Sequence, residues 1–125
     1  MAGRLREAGQ NFEILERSDR IANSWQSHYE RLHLHTIKEY SALPHQDFPA
    51  SYPQYVPREK LVEYYKQYAK DYCIEPQYNV LVDWIKQTKS GYSISSNAVT
   101  LDAFNVVVAT GFNRIPVQPT WPRSE

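Results

Sequence analysis

The spacing of hydrophobic and polar positions changes along this chain, and the changes divide it into predicted helices and strands. Residues 57–72 (PREKLVEYYKQYAKDY) give the strongest helical pattern, with apolar or aromatic side chains at Leu61, Tyr64, Tyr65, Tyr68 and Tyr72. This spacing predicts an amphipathic helix with Pro57 in its first turn. We expect its aromatic stripe to face the core, with the tyrosine hydroxyls in water.

The first residues predict a second helix. Residues 2–8 (AGRLREA) are good helix formers, and Gly9 is placed to end the helix. No Ser, Thr, Asp or Asn precedes them to cap the free N–H groups, so we expect the sequence to begin inside a longer element. The next residues, NFEILER, predict a short strand that ends on Glu16. Helix, glycine, strand and terminal acid correspond to the second half of a nucleotide-binding βαβ unit.

The middle of the chain is irregular, and the part after residue 77 is β-rich. Residues 18–56 contain several prolines and predict a long irregular segment with one short helix near Ile21–Gln26. Residues 78–85 and 91–96 predict strands that are joined by the hairpin KQTKSG. Residues 98–102 continue the β pattern into a predicted buried strand, Phe104–Ala109. The order of elements predicts an α/β fold.

Composition excludes several classes of partner. Lys plus Arg and Asp plus Glu number fourteen each, so net charge gives no reason to expect nucleic acid or an anionic membrane as a partner. Cys73 is the single cysteine, which fits a reducing compartment. No apolar run approaches the ~20 residues that cross a bilayer, and the early charges of MAGRLREAG do not fit a secretory signal. We therefore predict a cytoplasmic protein.

Four segments occur in an order typical of one family: ILERSDRIANSW, YERLHLHT, LPHQDFPASYPQYVPREKLVEYYKQYA and VVVATGFNRIPVQP. In this order the chain resembles flavin-containing monooxygenases of the two-dinucleotide-domain type, which include plant auxin-forming enzymes. The resemblance implies a domain that binds FAD and, in complete members, a second domain that binds NADPH. The predicted fold is thus an incomplete FAD/NAD(P)-binding Rossmann-like domain that lacks its first strand and has a small antiparallel β section. Residues 1–125 are expected to form one partial FAD-binding domain, truncated at both ends.

The resemblance also implies a set of residues beside the cofactor: Glu16, Arg17, Trp25, Leu34, Thr36, Ala109, Thr110 and Gly111. An acid at the end of the second strand can accept hydrogen bonds from ribose hydroxyls, and Arg17 would lie along the adenosine. Trp25 would lie against the flavin, although Ala22 and its neighbours replace the glycines that the family has before this tryptophan. Small residues at the end of the late strand would let the backbone approach the dinucleotide closely.

Each of these assignments has a purely structural alternative. Glu16 and Arg17 could be a solvated pair at a strand end, Trp25 a buried core residue, and residues 109–111 an ordinary turn. His33 and His35 form an H-x-H pattern, but no further ligands follow at metal-binding spacing, so we predict no metal site. No residue is nominated as a catalytic acid, base or nucleophile.

The function that follows is the FAD-binding portion of a flavin-dependent, NADPH-using monooxygenase, inactive alone. The sequence contains neither the glycine loop for the FAD pyrophosphate nor the one for NADPH, and the family's F-x-G-x-x-x-H segment would begin shortly after Trp121–Pro122. Residues Asn113–Pro116 would redirect the chain out of the domain. One alternative is a decayed binding or regulatory module that pairs with itself or a full-length relative through exposed sheet edges. Another is a small α/β protein whose likeness is functionally empty.

Overall fold

The computed structural model describes residues 1–111. Within this range the helices are α1 (Ala2–Glu7), α2 (Asn23–Gln26), a 3-10 helix (Lys38–Tyr40) and α3 (Arg58–Asp71), and the strands are β1 (Val82–Gln87), β2 (Tyr92–Ser96) and β3 (Thr100–Ala103). The predicted helices near residues 2–8, 21–26 and 57–72 are therefore confirmed. The predicted chain reversal at Asn113–Pro116 lies outside the described residues.

Gly9 ends α1 as predicted. It adopts φ +64°, and its N–H donates to Arg6 O at 3.0 Å while the N–H of Gln10 donates to Leu5 O at 2.9 Å. This pair of bonds is the Schellman arrangement, in which a left-handed residue after the helix satisfies the last free carbonyls. Glycine takes this conformation without the steric cost that a Cβ would add.

The core lies between α3 and the irregular segment that precedes it. Val56 and Leu61 have no exposed surface, and Phe48 and Tyr64 complete a buried cluster with them. Pro57 is the N-cap of α3 and not a first-turn residue, with extended ψ of 153°.

The tyrosine stripe of α3 faces this core, but the prediction that its hydroxyls lie in water is wrong for Tyr64 and Tyr68. Tyr64 is 3% exposed, and its hydroxyl accepts from Leu43 N at 2.7 Å and donates to Gln46 O at 2.5 Å. The hydroxyl of Tyr68 donates to Pro44 O at 3.2 Å. Backbone groups of the 43–46 turn therefore replace water.

The three strands form an antiparallel sheet in the order β1-β2-β3, which confirms the predicted antiparallel section. β1 starts at Val82 and not at residue 78, because the backbone before Val82 forms hydrogen bonds with residues 16–18 and not with β2. Asn79 N donates to Ser18 O at 2.9 Å, and Val80 N donates to Glu16 O at 3.0 Å. The pairing register shifts between Val82 and Trp84, where β1 is irregular.

Two predicted strands are not formed among the described residues. The segment that ends on Glu16 contributes a single parallel bridge between Leu15 and Gln77. Residues 104–109 form no strand, and Phe104, Val107 and Val108 are 83%, 60% and 67% exposed, so the prediction of a buried strand there is wrong. A strand forms only where a neighbouring backbone supplies its hydrogen bonds, and no described segment does so for residues 104–109.

No helix within residues 1–111 is both long enough and apolar enough to cross a membrane.

Candidate functional site

Glu16 lies where the chain after α1 meets the chain after α3. Its N–H donates to Gln77 O at 2.9 Å, and its Oε1 accepts from Ser18 N at 2.8 Å. A carboxylate offers about four acceptor sites, so the bond from Ser18 leaves capacity for donors such as ribose hydroxyls. The charge of Glu16 also adds to the effect of burial, which raises the pKa of Tyr78. Glu16 is half-buried, and Arg17 beside it is exposed.

Trp25 lies on α2 and is half-buried against the core cluster. The ring of His28 is 6.3 Å from it, tilted by 54°. α2 begins after Ala22, which adopts the left-handed conformation with φ 54° and ψ 31°. Ala22 is one of the residues that replace the glycines of the family pattern, and it adopts a conformation that glycine favours.

Leu34 lies in a short stretch of backbone that pairs with the residues at the start of α3, and Thr36 follows two positions later. Leu34 N donates to Val56 O at 2.9 Å, and the Leu34 side chain packs against the same core cluster as Trp25. Thr36 is exposed, and its hydroxyl shares a hydrogen bond with Ser41 at 2.5 Å. The structure thus brings Trp25 and Leu34 together on one cluster.

The two histidines of the H-x-H pattern flank Leu34. Both His33 and His35 are exposed, and His33 Nδ1 lies 2.7 Å from Arg31 O. Within residues 1–111, no group of three or more His, Cys, Asp or Glu side chains is arranged to bind a metal ion.

Ala109, Thr110 and Gly111 are all exposed at the end of the described chain. Gly111 adopts φ +75°, and a Cβ added to it would meet no atom within 4 Å. Gly111 therefore adopts a left-handed conformation that favours glycine, and the space beside its backbone is open. Among the described residues, no hydrogen bond joins residues 109–111 to Glu16 or to Trp25.

One residue that the sequence did not single out contacts the site segments directly. The Arg58 guanidinium donates to Gln26 O at 3.2 Å and also to His28 O. These partners are 32 and 30 positions away in sequence, so no local pattern could have indicated the contact.

Comparison with known proteins gives one consistent family. The sequence profile of pyridine nucleotide-disulphide oxidoreductases matches residues 1–125. Indole-3-pyruvate monooxygenase YUCCA6 of Arabidopsis thaliana is 40% identical over 80 residues, which cover 63% of this chain and 19% of that protein. Probable indole-3-pyruvate monooxygenase YUCCA8 of Arabidopsis thaliana is 33% identical over 126 residues, which cover 92% of this chain and 30% of that protein.

The fold is also found in solved structures. A flavin-containing monooxygenase from Stenotrophomonas maltophilia matches with a TM-score of 0.73 at 24% identity, over 82% of this chain and 32% of that one. This likeness confirms the predicted fold class, a partial Rossmann-like α/β domain with a small antiparallel section. The chain spans less than a third of the length of these curated relatives and of this solved chain.

Proposed function

The chain belongs to the pyridine nucleotide-disulphide oxidoreductase family, in its flavin-containing monooxygenase group, and from this premise we propose that residues 1–125 form part of the FAD-binding domain of a flavin-dependent, NADPH-using monooxygenase. The supporting observation is the 33% identity that extends over 92% of the chain, because it covers every segment in which cofactor residues are proposed. The proposal includes a cytoplasmic location, on the basis of composition and the single cysteine.

The proposed cofactor residues fit a flavin dinucleotide in different ways. Glu16 has free acceptor capacity for ribose hydroxyls, and Arg17 is exposed beside it. Trp25, Leu34 and Thr36 would lie along the flavin end. Small, exposed residues at 109–111 leave open space beside the backbone of Gly111 for close approach. The flavin supplies the oxygen-transfer chemistry when bound, while these residues bind and orient it.

We also propose that this chain alone does not turn over substrate. Its four glycines are Gly3, Gly9, Gly91 and Gly111, so no glycine-rich G-x-G-x-x-G loop is available to bind a pyrophosphate. Oxidation of NADPH by the purified chain with added FAD would contradict this part of the proposal.

FAD titration tests the binding role of Glu16. The 125-residue chain, its Glu16→Gln variant and a control Glu13→Gln variant are titrated with FAD, and flavin fluorescence is followed. Glu13 is exposed on the same segment and accepts from Gln77 Nε2 at 2.7 Å, a bond that glutamine can preserve. Since hydrogen bonds to a charged group contribute about 1.5–3 kcal/mol, Glu16→Gln should weaken FAD binding about tenfold or more. Absence of binding by the parent chain, or equal binding by both variants, would contradict the proposal.

A second candidate function is self-association or pairing with a full-length relative. The observation that favours it is the set of exposed apolar side chains that follows edge strand β3: Phe104, Val107 and Val108. Unpaired extended backbone with apolar side chains favours pairing with another strand. Light scattering after size-exclusion chromatography should then show a dimer for the parent chain and a monomer for Val107→Lys. A monomeric parent at high concentration would eliminate this candidate.

A further inference from the structure

The N-terminal end of α3 contacts both segments proposed to face the flavin, and we infer that Arg58 is the positioning residue that sets Trp25 relative to Leu34. The inference rests on the proposed function, because the relative position of Trp25 and Leu34 matters only if both residues contact the flavin. Arg58 itself touches no cofactor in this proposal and acts through the backbone of α2.

The first contact is between backbones. Arg58 N donates to Leu32 O at 2.7 Å, and Leu34 N donates to Val56 O at 2.9 Å. An antiparallel bridge joins His33 to Pro57 between these two bonds. The start of α3 therefore fixes the backbone at Leu34 without any help from the Arg58 side chain.

The second contact is made by the side chain alone. Arg58 Nη1 donates to Gln26 O at 3.2 Å and also to His28 O, at the C-terminal end of α2. The last carbonyls of a helix have no partner within it, so the guanidinium supplies a donor to Gln26 O, and it also bonds to the carbonyl of His28 just beyond the helix. Trp25 immediately precedes Gln26. One residue thus joins the Leu32 carbonyl, two positions before Leu34, through its N–H, to the Trp25 helix, through its guanidinium.

The guanidinium occupies this position at a cost, which argues that the position is specific. Arg58 Nε is buried and has no hydrogen-bond partner among the described residues. A buried donor without a partner destabilises the folded state, and the planar head group cannot turn Nε outward without moving Nη1 off its two carbonyls. A lysine would place one ammonium near these carbonyls but without the fixed plane of the guanidinium.

The alternative is that Arg58 only stabilises the fold, and the fluorescence of Trp25 separates the two roles. In a Trp84→Phe/Trp121→Phe background of the full chain, Trp25 is the only tryptophan. Arg58→Met, Arg58→Lys and a control Lys66→Met, an exposed residue on the same helix, are compared in this background. The measurements are the native emission maximum of Trp25, its quenching by acrylamide, the urea midpoint and FAD affinity.

If Arg58 positions Trp25, Arg58→Met should shift the native emission to longer wavelength, increase acrylamide quenching and weaken FAD binding about tenfold. Arg58→Lys should show a smaller change in each of the three measurements, and Lys66→Met should leave all three as in the background protein. A lower urea midpoint with unchanged native emission would show a purely structural role and overturn the inference.

Should Arg58→Met not fold, Arg58→Gln replaces it, since its amide cannot reach both carbonyls. Unchanged Trp25 emission in Arg58→Gln would overturn the inference equally. FAD binding absent from the background itself contradicts the proposed function, and with it the flavin role of Arg58, while the emission still reports on Trp25.

Discussion

The hydroxyl of Tyr68 lies where a side chain on Gly3 would begin. A Cβ built on Gly3 would be 1.9 Å from Tyr68 Oη and 2.8 Å from Tyr68 Cζ, both far inside van der Waals contact. Gly3 is the buried residue of α1, and Tyr68 is 6% exposed on α3. The absent side chain therefore allows α1 to pack directly against the aromatic stripe of α3.

Gly3→Ala should destabilise the protein despite the higher helix propensity of alanine. Overpacking a buried site costs about 1–3 kcal/mol, whereas alanine gains only about 1 kcal/mol over glycine within a helix. We expect a net loss of about 1 kcal/mol in the free energy of unfolding, measured with urea by circular dichroism. In a Tyr68→Phe background the closest atom is gone, so the same substitution should cost less. Equal costs in both backgrounds would show that the Tyr68 hydroxyl is not the obstacle.

Ala22→Gly should stabilise the protein. Ala22 adopts φ 54° at the start of α2, a conformation that costs an L residue with a Cβ roughly 1–2 kcal/mol. Glycine removes this strain but adds about 0.5–1 kcal/mol of unfolded-state entropy, so the expected net gain is about 0.5 kcal/mol. Ala8→Gly is the matched control, because Ala8 has φ −76° and should only lose stability. Urea midpoints that fall for both variants would contradict the prediction.

The helices and the hairpin could be predicted because their information is local. The spacing of Leu61, Tyr64 and Tyr68 specifies α3, and Gly9 specifies the end of α1, whatever surrounds them. Whether the segments near Glu16 and at residues 104–109 form strands could not be predicted from local pattern. Their apolar runs indicate strands only if a neighbouring backbone is present, and sequence periodicity does not report on the neighbour.

The residues proposed to contact the cofactor remain predictions from the family pattern, and the contacts that support them could not be predicted from the sequence. Glu16 and Gly111 were proposed from the family pattern, and the structure gives Gly111 a positive φ of 75° without testing its role beside a cofactor. The contact of Arg58 with the end of α2 joins positions about 30 apart across an irregular segment. Because that segment has no period, the sequence contains no indication of which residues it brings together.

Tyr64→Phe should destabilise the turn at residues 43–46. The hydroxyl bonds to both Leu43 N and Gln46 O, and Leu43 and Gln46 also form an isolated bridge. Its removal leaves a donor and an acceptor unpaired near the core, at about 1–3 kcal/mol, while the ring contact with Phe48 remains. Tyr72→Phe, in which the stacked ring is likewise retained, should cost well under half as much. Equal urea midpoints for the two variants would mean that the Tyr64 hydroxyl bonds contribute nothing.

The buried and half-buried tyrosines should make the fold sensitive to alkali. Burial raises the pKa of Tyr64, Tyr65, Tyr68 and Tyr78 above the ordinary value of 10.0. Above pH 10 the unfolded chain therefore loses phenolic protons that the folded chain still holds.

The unfolded state then binds fewer protons than the folded state, so the free energy of unfolding must fall as pH rises through this range. The contribution of these phenols to stability is complete below pH 10. Urea unfolding at pH 8, 9, 10 and 11 should show a plateau followed by a decline, and the decline should be shallower in Tyr68→Phe. Tyr40→Phe, at a position that is 86% exposed, should follow the parent curve. A decline that is equally steep in all three proteins would assign the alkaline sensitivity to groups other than the buried phenols.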